Sequence, residues 1–264
     1  MSPRYATDAA DAITPVGMVA DTLPFSMVDG PGNRFVVFMQ GCNFDCVACH
    51  NPHTIRRTTG EHFRTTVGEV IEELLPAAPF VSGITVTGGE ATLQPEFLLA
   101  LFEAMEAEPS LARLTRFIDS NGSADIDTWI RLAPHIHGAM LDLKCFDPEI
   151  HQRITRQSNA PVLKAIRYLH SMGLLYEVRL LLIEGINDDP ILLRRTGHWL
   201  ASIDPSMRLK VIGFREHGVR PCQMHLAEPN REHLQEAAAA RSEEHTSELQ
   251  SHLNLVCRLL LEKK

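Results

Sequence analysis

Residues 35–50 read FVVFMQGCNFDCVACH. The first six are apolar, β-branched or aromatic up to Gln40, and Gly41 stops the run, so the spacing predicts a buried strand over 35–40. Three cysteines, Cys42, Cys46 and Cys49, follow at once on a short loop. Outward from this point the chain alternates. Val67, Val70, Ile71 and Leu74 recur at helical spacing behind Thr66, a capping residue, and predict a helix over 66–75. A strand over 84–87 runs into Gly88-Gly89, and a helix follows over 94–108. A strand over 114–119 ends in the turn Ser120-Asn121-Gly122, then come a helix over 126–132 and a strand over 138–143. Later pairs are a helix over 161–172 stopped by Gly173, a strand over 176–183, a helix over 190–203, a strand over 209–214 and a last helix over 229–240.

Short apolar strands separated by helices predict a parallel sheet with helices outside it. About six such units fall short of the eight of a closed barrel, so the expected fold is α/β, an open partial (β/α)6 barrel. Ligands of such sheets sit at the carboxyl ends of the strands. The cysteine loop, Gly88-Gly89-Glu90, Asp119-Ser120-Asn121 and Asp142-Leu143-Lys144 all fall at those ends, which predicts one active site on one rim.

The chain has 264 residues, 44% hydrophobic and 22% charged, which is ordinary globular usage and excludes disorder, collagen and coiled coil for the whole chain. With 25 basic and 33 acidic residues it carries −8, so nucleic acid and anionic membranes are not expected partners. No apolar run approaches the ~20 residues of a membrane helix, and the N-terminus lacks the pattern of a secretory signal; a cytoplasmic protein, most simply a monomer, is expected. Residues 1–16 are expected to be a flexible segment and 17–240 the barrel domain. Residues 241–264, RSEEHTSELQSHLNLVCRLLLEKK, look like the conceptual translation of a sequencing-library adapter rather than a native element, and Cys257 belongs to them.

A C-x3-C-x2-C loop in a reducing compartment reads as a metal or redox site, not a disulfide framework. Three thiolates on a tight loop can hold three corners of a cubic iron–sulfur cluster and leave the fourth iron open. The same residues allow a zinc site with His50, His53 or Cys145 as fourth ligand. Spacing leaves both open.

The flanks carry a resemblance. C-x3-C-x2-C followed by Thr87-Gly88-Gly89-Glu90-Ala91 resembles the radical S-adenosylmethionine (radical SAM) superfamily. Val28-Asp29-Gly30-Pro31-Gly32, Arg34-Phe35, Gln40-Gly41-Cys42, Cys49-His50-Asn51, Asp119-Ser120-Asn121-Gly122, Met140-Leu141-Asp142-Leu143-Lys144 and Glu149-Ile150-His151-Gln152 resemble, within it, the glycyl-radical enzyme activases of the pyruvate formate-lyase type. The likeness runs in order from about Gly17 to Phe214.

The resemblance implies a 4Fe-4S cluster on Cys42, Cys46 and Cys49 whose open iron takes S-adenosylmethionine. It implies reductive cleavage to a deoxyadenosyl radical, and hydrogen abstraction from a glycine of a partner such as formate C-acetyltransferase. A flavodoxin or ferredoxin-type protein would supply the electron. Ala48, His50, Gly88, Gly89, Glu90, Asp142, Leu143, Lys144 and Arg215 match the family's cofactor contacts, with Glu90 supporting the Gly-Gly turn. Asp119, Ser120, Met140 and Asp142 match a monovalent-cation site, and Asp29, Gly30, Pro31 and Gly32 the loop that receives the partner's glycine segment. The chain departs from the family at Ala48, often aromatic there. The late histidine aligns with Arg215, with His217 two residues on. No insertion with further cysteine clusters follows Asn51.

Outside these motifs, lone Cys145 and Cys222 carry no assigned role. His135-Ile136-His137 reads as surface, and Asn187-Asp188-Asp189 as a turn before a helix starting at Pro190. The alternatives are a radical SAM enzyme acting on a small molecule or nucleotide, and a zinc-stabilised module without catalysis.

Overall fold

The protein is described from a computed structural model that covers residues 15–56, 63–222, 224 and 226–229. The N-terminal residues before 15, most of the helix expected over 229–240 and the adapter-like tail lie outside them.

Six strands form the parallel body of the sheet: β2 (Arg34–Met39), β4 (Gly83–Gly88), β5 (Thr115–Ser120), β6 (Gly138–Asp142), β7 (Leu175–Leu182) and β8 (Leu209–Gly213). They pair in sequence order, and the two ends of the sheet are not paired, so this is the open partial barrel that the alternation predicts. Two strands precede that body at its edge, β1 (Val16–Ser26) against β2 and β3 (Phe63–Thr66) against β1, both antiparallel. The sequence reading does not find them. β1 contains Pro24 and slips register between Val19 and Asp21 and again between Leu23 and Ser26, so its side chains keep no clean alternation. β3 is four residues long.

The helices α1 (Val67–Ala77), α2 (Pro95–Ala107), α3 (Ile126–Leu132), α5 (Ala160–Ser171) and α6 (Pro190–Ile203) lie within two residues of their expected bounds. Thr66 caps α1 as expected. Its hydroxyl accepts the Glu69 N–H at 3.2 Å while the Glu69 carboxylate accepts the Thr66 N–H at 2.7 Å, a reciprocal box worth about 1 kcal/mol. The unexpected helix is α4 (Pro148–Thr155). Its sequence, PEIHQRIT, is short and has only Ile150 and Ile154 as large apolar residues, and Asp147 caps it through the N–H groups of Glu149 and Ile150.

Apolar residues of the strands meet those of the helices in one core. Phe35, Val37, Ile84, Val86 and Leu141 are wholly buried against Leu98, Leu101, Phe102 and Trp129. A second cluster lies under the cysteine loop: Val47 and Ala48 pack with Ile154 of α4, Cys145, Ile183 and Phe214. The loop is therefore anchored by its own side chains to the rim of the barrel. Among the described residues no helix is long and apolar enough to cross a membrane.

Candidate active site

The cysteine loop is held by backbone hydrogen bonds from two sides. Gly41 N donates to Thr54 O at 2.8 Å and Cys42 N to Ile55 O at 2.9 Å. From the other side, Asp45 N donates to Thr155 O at 3.0 Å and Val47 N to Ile154 O at 2.9 Å. The helix that sequence reading misses, α4, is thus half of the loop's support. Cys42, Cys46 and Cys49 all face one pocket of about 460 Å³ at the carboxyl ends of the strands. Burial pushes the Cys42 and Cys46 thiols up to about 12 and raises Cys49 as well. Such thiols are neutral until a metal takes the proton's place.

Gly88 and Gly89 share the pocket wall. Gly88 has φ of 111°, and a Cβ there would lie 2.2 Å from Met39 N. A Cβ on Gly89 would lie 2.2 Å from Gly41 O. Both glycines are required first of all because β4 ends hard against the root of the cysteine loop, where Glu90 N donates to Gly41 O at 2.8 Å. The Glu90 side chain points away from the pocket. Its carboxylate accepts Ser120 Oγ and the Asn121 N–H, each at 2.7 Å, and the Thr92 N–H at 3.0 Å, which ties the end of β4 to the turn after β5. Burial raises this carboxyl, and the four donors from Thr92, Ser120 and Asn121 oppose the rise.

Asp142 and Lys144, at the end of β6, form an ion pair at 2.6 Å on the same wall. Burial alone would lower the Lys144 ammonium, but the Asp142 carboxylate beside it, with Cys46 and Cys49 once they are thiolates, outweighs that and holds it above its usual range. Leu143 between them turns into the core and is wholly buried. Ala48, His50 and Arg215 also line the pocket. His50 Nε2 lies 2.9 Å from Arg215 O, while the Arg215 guanidinium reaches Glu228 at 2.6 Å, and His217 lies on the wall as well. Val28 and Asp29 reach the pocket; Gly30, Pro31 and Gly32 are not on its wall.

The four residues matched to a cation site do not face one another freely. Arg179, on β7, places Nη1 2.8 Å from Asp119 Oδ2 and Nη2 2.9 Å from Met140 Sδ, with Nε 2.7 Å from Glu177. Thr87 donates to the same Asp119 oxygen at 3.1 Å, Asp142 faces Lys144, and Ser120 faces Glu90. A cation at this position would share Asp119 with a guanidinium. Burial pushes the Asp119 carboxyl up, and Arg179 pulls it down. The sequence reading passes over Arg179, although a lone charge inside the apolar run Val178–Ile183 was a usable signal. Asn51, Thr87, Asn121 and Lys210 are further polar wall residues given no role from the sequence.

The donor set fits a multi-metal group better than a single ion. Among the described residues no three His, Cys, Asp or Glu side chains converge where one metal ion could sit, as tetrahedral zinc requires. Three sulfurs lining one pocket suit three corners of an iron–sulfur cube.

The model of the radical SAM superfamily matches residues 36–193. The chain belongs to the radical SAM superfamily. The radical SAM match starts in β2 and takes in the cysteine loop, the Gly88-Gly89 turn and the Asp142–Lys144 pair. The pyruvate formate-lyase-activating enzyme of Streptococcus mutans serotype c is 34% identical over 207 residues, covering 76% of this chain and 79% of that protein. The enzyme of the same name from Staphylococcus epidermidis is 32% identical over 219 residues, covering 76% and 85%. Among solved structures, a radical SAM methyltransferase from Sphaerobacter thermophilus superposes with a TM-score of 0.58 at 16% identity, over 79% of this chain and 63% of that one, a likeness of fold alone.

Proposed function

We propose that this protein is a radical SAM activating enzyme that installs a glycyl radical on a partner enzyme. One observation carries the reading: Cys42, Cys46 and Cys49 share a single pocket with Gly88, Gly89, Asp142 and Lys144. The names of the relatives support the choice of partner class.

In this reading the three cysteines hold a 4Fe-4S cluster with S-adenosylmethionine beside it. When bound, the pair supplies one-electron cleavage of the sulfonium and a deoxyadenosyl radical that takes hydrogen from glycine. The chain's own part is to bind, orient and exclude water. Lys144, kept cationic by its surroundings, meets the carboxylate of S-adenosylmethionine. Asp142 accepts from its ribose hydroxyls. The Gly88-Gly89 backbone takes the amino group, and Ala48, His50 and Arg215 flank the adenosyl part. Phe38, Phe44, Leu181 and Ile212 give the pocket apolar walls that keep bulk water from a reactive radical. In this reading a glycine-bearing segment enters past Val28 and Asp29, which lines the pocket and accepts a hydrogen bond from Ser26.

The test is anaerobic. Purified protein reconstituted with iron and sulfide should hold about four irons per chain. It should cleave S-adenosylmethionine on reduction with dithionite and raise an electron spin resonance doublet on a co-incubated glycyl-radical enzyme. Iron-free protein after reconstitution overturns the reading. Cofactor cleavage without a doublet on any glycyl-radical enzyme offered would assign a smaller substrate instead.

A further inference from the structure

Cys42 differs from a bare thiol in what its sulfur receives. The backbone N–H of Phe44 donates to it at 3.3 Å, and the side-chain amide of Asn121 approaches from across the barrel with Nδ2 3.8 Å from Sγ. That amide is fixed on every side. Its Oδ1 accepts the Ser123 N–H at 2.9 Å, which sets which end is nitrogen. One Nδ2 hydrogen goes to Asn43 Oδ1 at 3.0 Å, and Asn43 is itself held by a bond from its own Nδ2 to Ser123 Oγ at 2.7 Å. The remaining hydrogen has Cys42 Sγ as its acceptor. Behind it, the backbone N–H of Asn121 is anchored on the Glu90 carboxylate at 2.7 Å, so the Gly-Gly-Glu turn of β4 aims the residue. Asn121 is 8% exposed and faces the pocket, so little water competes for the bond.

A hydrogen bond to a ligand sulfur stabilises the more negative, reduced state of an iron–sulfur group more than the oxidised one, and so raises its reduction potential. Resting on the reading above, we propose that Asn121 is a positioning residue that sets the reduction potential of the cluster held at Cys42 by donating a hydrogen bond to that sulfur. The residue decides how readily an external protein reductant can charge the site.

The experiment compares wild type with Asn121→Leu, Asn121→Ala and Asn43→Ala, each reconstituted anaerobically. Iron content, the midpoint potential from a spin-resonance redox titration and the deuterium-exchangeable proton couplings of the reduced cluster are measured. Both Asn121 variants should keep their iron, lose one exchangeable coupling and become harder to reduce by about tenfold in the one-electron equilibrium, which is about 59 mV towards negative potential. Asn43→Ala, which removes one anchor of the amide but leaves Ser123 and the Cys42 sulfur in place, should shift the potential less than either Asn121 variant. Unchanged potentials in iron-loaded Asn121 variants overturn the proposal, as does an equal shift in Asn43→Ala. Loss of iron from both Asn121 variants also overturns it, by making the residue a structural prop of the loop. An iron-free wild type fails differently, since it removes the cluster reading itself.

Discussion

Arg179 and Asp119 meet at 2.8 Å across the inside of the barrel, from strands that are not neighbours, since β6 lies between β5 and β7. The guanidinium also holds Glu177 and rests on Met140 of the intervening strand. One cation thus offsets two carboxylates, both nearly enclosed, and both Arg179 and Asp119 line the candidate site.

Arg179→Met should leave Asp119 and Glu177 unneutralised beside Asp142. Removing one partner of a buried pair costs about 3–5 kcal/mol, so denaturant unfolding should show a loss of that order. Arg179→Lys should lose less, because one ammonium restores the charge but cannot reach three partners at once. Equal stability of the Met variant and wild type would show that the pair contributes nothing net.

Cys46→Ala should abolish iron binding after reconstitution and with it all cleavage of S-adenosylmethionine. Iron analysis and chromatography of the nucleoside product measure both. Full iron content in this variant would remove Cys46 from the ligand set.

Gly89→Ala puts a methyl group 2.2 Å from Gly41 O, a backbone atom that cannot swing aside. The end of β4 and the cysteine loop must move apart. The expected result is loss of iron retention together with a stability loss of roughly 1–3 kcal/mol, the range for overpacking. Gly68→Ala, on the surface of α1 with its nearest neighbour at 3.9 Å, is the control and should keep both. A Gly89→Ala protein that binds iron like wild type would show that the contact relaxes without cost.

His151 is wholly buried on α4, edge-on to Phe44 of the cysteine loop, with Nδ1 3.3 Å from Cys145 O. Burial lowers its pKa from 6.5 to about 4. The unfolded chain therefore takes up a proton near pH 6.5 that the folded protein refuses until about pH 4, so stability falls as pH falls through that window, by roughly 3 kcal/mol in all. Melting temperatures measured from pH 7 to pH 4 should drop less steeply for His151→Asn than for wild type. Parallel slopes would show that His151 is not the group responsible.

The sequence by itself determined the parallel barrel and the turns that end its strands. Most of the parallel strands are buried on both faces and so appear as short apolar runs, and the rim of the candidate site appears as Gly-rich and acidic turns at the ends of those runs. Thr66 and its partner Glu69 are local enough to be legible for the same reason. β1, β3 and α4 were not legible, because a bulged edge strand with a proline keeps no clean alternation, and a four-residue strand and an eight-residue helix with two large apolar residues are too short to stand out. Only the tertiary structure decided the pairings between distant residues: that Glu90 serves Asn121 rather than the pocket, that Arg179 stands between Asp119 and Met140, and that α4 props the cysteine loop. These contacts join groups 30 to more than 100 positions apart in the chain. Their formation depends on how the strands register side by side, which no local pattern of side chains encodes.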